Sequence, residues 1–175
     1  MLTLADGRTR VDVTLTMPEG YDEGTGVLEL TLEDLGTLID ASGQINKPDY
    51  RLSATASDTV PDQPLNREGN ATTFGASNFE GTITVLRSLD ATGQIDTATD
   101  TLFTAIGAKG VIAYYVERTG PKAIVDLAEG DEGWIYEGLS DEPQEPTDRA
   151  GYIKNIIPIG VQSRRRFKIV AAVGG

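Results

Sequence analysis

The sequence predicts a mainly β protein, an antiparallel β-sandwich or barrel of about eight strands with a short flanking α-helix. Three observations carry that expectation. Apolar and polar side chains alternate in several short segments, 20 glycines and 8 prolines separate those segments with turns, and only two segments place apolar residues at helical spacing. The 175 residues suffice for one domain with its own core, and residues 1–175 are read as a single unit carrying a long loop at 58–79.

Taken in order, "RVDVTLTM" (residues 10–17) puts Val11, Val13, Leu15 and Met17 on one side. Arg10, Asp12, Thr14 and Thr16 fall on the other, which predicts a half-buried strand. The acidic, glycine-rich "PEGYDEGTG" (18–26) turns the chain into "VLEL", a short second strand. In "TLEDLGTLIDASG" (31–43), Thr31 followed by Asp34 resembles a capping box. Leu32, Leu35, Leu38 and Ile39 recur at helical spacing there, so a short helix is expected before Gly43. "DYRLSATAS" (49–57) alternates again, with Tyr50, Leu52, Ala54 and Ala56 sharing a face.

Residues 58–79, "DTVPDQPLNREGNATTFGASNF", are the least hydrophobic stretch and show little periodicity. A structureless loop of about 20 residues is uncommon in a compact domain and marks either disorder or a functional arm. "EGTITVLR" (80–87) returns to alternation. "DTATDTLFTAIGAKG" (96–110) is the better helix candidate: Thr97 and Asp100 form a capping pattern, and Leu102, Phe103 and Ile106 make an apolar stripe. Gly107 and Gly110 offer stops.

"VIAYYVER" (111–118) is apolar on both faces, as in a central strand covered on each side. "AIVDLA", "GWIYEGL", "GYIKNIIPIGVQ" and "RFKIVAAV" complete the expected strands, and Pro158 argues for an edge or a bulge. The echo between "DASGQI" (40–45) and "DATGQI" (90–95) reads as shared turn chemistry, because the flanking segments differ.

Composition narrows the chemistry. The chain has no cysteine and no histidine, which removes thiol nucleophiles, disulfides, imidazole bases and the usual zinc, copper and haem ligands. The cluster "DLAEGDEG" (126–133) lacks the alternate-position spacing of a calcium loop and reads as a solvated turn. No glycine-rich phosphate loop is present, and "NAT" at Asn70 is a glycosylation triplet without secretory context. The N-terminal "MLTLADGRTR" lacks the plan of a secretion signal, and no run of about 18 apolar residues offers a membrane span.

No catalytic constellation emerges, so the expectation is a protein that is not an enzyme and holds no cofactor or metal. An acidic glycoside hydrolase would need a carboxylate pair, with no aromatic platform here to support it. The alternative function is a β-sandwich module binding carbohydrate or another surface ligand near Trp134 and Tyr136, which share a strand face.

Three stretches carry a family resemblance: "LSATASDTV…GNATTFGASNFEGTITVLRSLD", "AIGAKGVIAYYVERTGPK" and "SDEPQEPTDRAGYIKNIIPIGVQ". In that order they resemble the tail tube (major tail) proteins of long-tailed bacteriophages, siphophages of actinobacterial hosts especially. The resemblance covers roughly residues 52–170. It implies a small β-sandwich with a flanking helix, made in the host bacterial cytoplasm and incorporated into the virion tail. Six copies would close into rings, and the rings would stack into a hollow tube through which double-stranded DNA leaves the capsid. It further implies edge strands joined between neighbours and a stacking arm, which here corresponds to the 58–79 loop. The implied partners are further copies of the chain, other tail proteins (tape measure, tail terminator and distal tail), and passing DNA without specific binding. No membrane is involved.

With 15 basic against 27 acidic residues and a net charge of −12, such a conduit would repel phosphate rather than grip it. Against that balance, Arg164, Arg165 and Arg166 in "SRRRF" are unexpected. Strand periodicity puts Arg164 and Arg166 on one face with Lys168, and Arg165 opposite beside Phe167 only if the alternation slips. Most of the triplet is expected to face a neighbouring subunit or ring and pair with acidic loops such as 140–149 or 18–26; a solvated strand edge is the alternative. The candidate contact residues are therefore Arg164, Arg165 and Arg166, with Asp58, Asp62, Arg67, Glu68 and Asn70 in the arm, and Asp141, Glu142, Glu145 and Asp148 in the acidic loop.

Overall fold

The computed structural model describes residues 7–22, 24–60 and 73–172. Its strands are β1 (Thr9–Thr14), β2 (Val27–Leu30), β3 (Ile39–Asp40), β4 (Arg51–Ala54), β5 (Thr59–Val60), β6 (Thr73–Phe74), β7 (Phe79–Leu86), β8 (Ile112–Thr119), β9 (Glu132–Ser140) and β10 (Lys154–Ile169). One α-helix, α1 (Thr101–Ile106), and a 3-10 turn at Lys47–Asp49 accompany them. Eight strands form a sheet in the order β3-β1-β8-β9-β10-β7-β4, with β2 added beside β10, while β5 and β6 pair separately. All pairs are antiparallel except β2 with β10. The protein is thus mainly β, as its alternation and turn density predict.

β10 organises the fold. Its first residues pair with β7, from Lys154↔Leu86 to Pro158↔Thr82. From Ile159 it pairs with β9 instead, and its last residues also take β2. Pro158, which has no N–H to donate, closes the β7 ladder where the strand changes partner. A bulge between Val161 and Ser163 follows. The two strands expected at 151–162 and 166–173 are therefore one strand of 16 residues. The bulge absorbs the break in periodicity that separates them in the sequence.

Two apolar cores lie on opposite faces of the central strands. Val11, Val13, Leu52, Ile83, Val85, Ala113, Tyr115, Tyr136 and Ile157 build the first, with Leu102 and Ile106 of α1. Leu30, Leu35, Val116, Leu127, Ile135, Phe167 and Ile169 build the second. β8 sends Ala113 and Tyr115 one way and Val116 the other, as expected of a strand covered on each side.

Two expected elements do not form. Residues 31–43 make a single turn rather than a helix. Thr31 and Asp34 do exchange capping hydrogen bonds (Thr31 N to Asp34 Oδ2, 2.7 Å; Asp34 N to Thr31 Oγ1, 3.3 Å). Gly36 at φ 63° then ends the turn, and Ile39 leaves to pair with Val13. "AIVDLA" is loop, held from beneath by Arg118. In α1 the expected cap is displaced: Asp100 makes no capping bond and turns to Arg87 at 2.7 Å, while Gln44 Oε1 accepts from Leu102 N at 2.9 Å.

Candidate functional site

The arginine run lies on β10 beside β9, with Arg164 opposite Tyr136, Arg165 opposite Ile135 and Arg166 opposite Trp134. Arg164 lies flat on Trp134, its Cζ 3.4 Å from the ring centroid, and 5.5 Å from that of Tyr136. Arg166 stands 5.8 Å from the same tryptophan and 3.8 Å from Glu132. Arg165 points to the opposite face with Phe167. There it lines a small hollow with Met17, Leu28, Tyr114 and Glu137. Alternation does not slip within the run; the irregularity of β10 lies upstream at the bulge. The triplet therefore divides into one arginine stacked on the sheet and two exposed.

Arg164 and Arg166 also line a broad groove with Leu52, Glu117, Trp134 and Tyr136. The Glu117 of this groove accepts a hydrogen bond from the Tyr50 hydroxyl. Burial lifts the Glu117 carboxyl above its ordinary value, against the downward pull of the Tyr50 hydrogen bond and of Arg164. Tyr50 is raised well above the usual phenol value, first by burial and then by the Glu117 charge. One face of Trp134 is occupied by the guanidinium.

The long loop begins and ends as a β ribbon, with Thr59 opposite Phe74 and Val60 opposite Thr73. Asp58 secures its base: its carbonyl accepts from Gly75 N at 2.7 Å, and its carboxylate accepts from Asn78 Nδ2 at 2.9 Å. The expectation of structureless chain thus gives way to paired strands at the base, because Thr59, Val60, Thr73 and Phe74 suit a strand. Asp62, Arg67, Glu68 and Asn70 lie outside the described residues.

The acidic loop neutralises part of its own charge. Asp141 pairs with Lys109 at 3.1 Å and accepts from Glu142 N; these contacts, the backbone bond first, hold its carboxyl below the ordinary value. Glu145 pairs with Arg149, Asp148 caps Ala150 N at 2.9 Å, and Glu142 is exposed. Within one chain this loop and the arginine run are not paired with each other by any described ion pair.

A third feature escapes a sequence reading. Arg10, Asp12 and Arg118 form a buried row across β1 and β8, with Arg10 directly opposite Arg118. Arg10 binds Asp12 at 2.7 Å, Asp126 at 3.1 Å and Asp40 at 3.4 Å. Arg118 binds Asp131 at 2.9 Å and donates to the carbonyls of Pro121, Lys122, Val125 and Asp126. The residues assigned to the wet side of β1 are thus inside, covered by the loop they hold. The one available signal is the surplus of acids in "VDLAEGDEG", which supplies the partners.

Among the described residues no group of three or more acidic side chains is placed to hold a metal ion, and no helix is long and apolar enough to cross a membrane. Sheet and edges together define a mainly β protein built on one eight-stranded sheet. Its sequence matches the family model of the phage tail tube proteins over residues 1–174. The chain belongs to that family, whose members are structural parts of the phage tail. No curated protein matches the sequence.

Proposed function

We propose that this chain is the repeating subunit of a phage tail tube, that six copies close into a ring, and that stacked rings form an acidic conduit for ejection of double-stranded DNA. The family match over nearly the whole chain carries the reading. The sheet supports it: among the described residues β3 and β4 end the strand order, so open edges are available for pairing between copies. The charge of −12 suits a wall that DNA passes without adhering. The work of such a subunit is assembly, with no catalysis, and its neighbours in the tail would be the tape measure, terminator and distal tail proteins.

In this reading the exposed members of the arginine run, Arg165 and Arg166, meet acidic loops of neighbouring copies. Single exposed pairs contribute about 0–1 kcal/mol, and repetition around and along a tube multiplies them. Replacing both by glutamate should reduce the number of tubes in electron micrographs relative to wild type and leave circular dichroism unchanged. Undiminished tubes would remove the run from the interface. Arg164 is left intact in that variant because its stack on Trp134 belongs to the folded chain.

A further inference from the structure

Glu117 and Arg164 line one groove, yet among the described residues no ion pair joins them. Glu117 is the register partner of Trp134 on β9, and Arg164 is the partner of Tyr136 two residues further along that strand. From there the Arg164 side chain runs diagonally across β9 and lays its guanidinium on Trp134, with Cζ 3.4 Å from the ring centroid. It thus ends on the residue that neighbours Glu117. The two Cα atoms lie two strands apart, about 10 Å across the sheet and about 7 Å along it. An arginine and a glutamate together close such a span. The Arg164 Nε is buried and has no hydrogen-bond partner.

The other groups around Glu117 are placed differently. Tyr50, from the turn before β4, donates to it. Lys47 of the 3-10 turn lines the cleft on its far side, where β1 presents Thr9 and Val11. Tyr115 of β8 and Tyr136 of β9 are phenols whose ionisation burial pushes up. On β10, Arg166 stands 3.8 Å from Glu132. Arg164, by contrast, rests on a neutral ring. A guanidinium so placed has two available partners, Trp134 and Glu117. A stack on tryptophan and a partly exposed ion pair are interactions of comparable strength, so the charge on Glu117 decides between them. Burial lifts the Glu117 carboxyl, which moves that change of charge above the ordinary glutamate value.

We propose that Glu117 is a proton-operated switch for Arg164. Protonated, it leaves the guanidinium stacked on Trp134; ionised, it draws the guanidinium away and bares one face of the tryptophan to solvent. The device belongs to the folded subunit and does not depend on the tube-subunit reading.

Trp134 is the single tryptophan of the chain, so its fluorescence reports this site alone. Acrylamide quenching is measured on the free subunit from about pH 4.5, close to the ordinary glutamate value, to about pH 8, with circular dichroism confirming the fold throughout. The wild-type quenching constant should rise with pH toward that of Arg164→Ala, in which the same face is bare at every pH. Glu117→Gln should keep the low value throughout, because its amide accepts from Tyr50 and carries no charge. A wild-type constant that does not change with pH would overturn the proposal. So would a rise of equal size in Glu117→Gln or in Arg164→Ala, because it would come from another titrating group or from loosening of the fold. If Arg164→Ala does not fold, the contrast between wild type and Glu117→Gln decides.

Discussion

Arg118 shows how much of this molecule depends on single side chains. Its guanidinium is buried beneath the β8–β9 loop, with Asp131 as its counter-charge and backbone carbonyls around it. Replacing it with methionine keeps the bulk but leaves Asp131 and those carbonyls without their donor. Removing one partner of a buried ion pair costs about 3–5 kcal/mol, and urea unfolding of Arg118→Met should show a loss of that size. A change below about 1 kcal/mol would mean that the loop is held by other contacts.

Glu117 tests the same scale through pH. Its carboxyl is raised by burial, so the folded state holds a proton that the unfolded chain has already released. Stability contributed by this group therefore falls as pH rises from the ordinary glutamate value, about 4.3, through the raised one. Glu117→Gln, which can still accept from Tyr50, should lack that decline. Parallel pH profiles of unfolding midpoint for the two proteins would contradict the assignment.

At the scale of elements, steric fit between strands decides more than propensity does. A side chain at Gly133 would drive its Cβ into the Glu117 carbonyl of β8 and within 3.1 Å of the Arg118 Cα. Gly133→Ala must therefore open the β8–β9 pair, at about 1–3 kcal/mol, measurable as a lower thermal midpoint. An unchanged midpoint would show that the two strands can separate without cost.

The elements also show what a sequence can and cannot reveal. Val11 and Val13 announce β1 by alternation, and "VIAYYVER" announces a doubly covered strand, because those patterns follow directly from strand geometry. The capping pair Thr31 and Asp34 announces a helix that one glycine and a long-range pairing with β1 override. Arg10 and Asp12 look solvent-facing because nothing in their neighbourhood shows that a loop more than 100 residues later will cover them. The merging of two segments into β10 depends on a bulge, which has no signature of its own at Gln162. Of the candidate contact residues, periodicity separates Arg165 from the face shared by Arg164 and Arg166, whereas the exposure of Arg165 and Arg166 and the stacking of Arg164 on Trp134 depend on the partner strand.

At the scale of the whole molecule, the surplus of acid over base, the open sheet edges and the family match converge on assembly. Part of the acidic charge is satisfied within the chain, at Asp12, Asp100, Asp131, Asp141 and Glu145 among others, and in the proposed tube the unpaired carboxylates would set the field of the wall and meet neighbouring arginines. The central claim is that copies of this chain close into six-membered rings that stack around a lumen. Negative-stain electron microscopy, applied to the concentrated protein and to phage lysates labelled with antibody against it, tests that claim most directly. Hollow tubes with sixfold end-on averages, and antibody along the length of the tails, are the expected result. A protein that stays monomeric at high concentration and an antibody that labels no tails would contradict it.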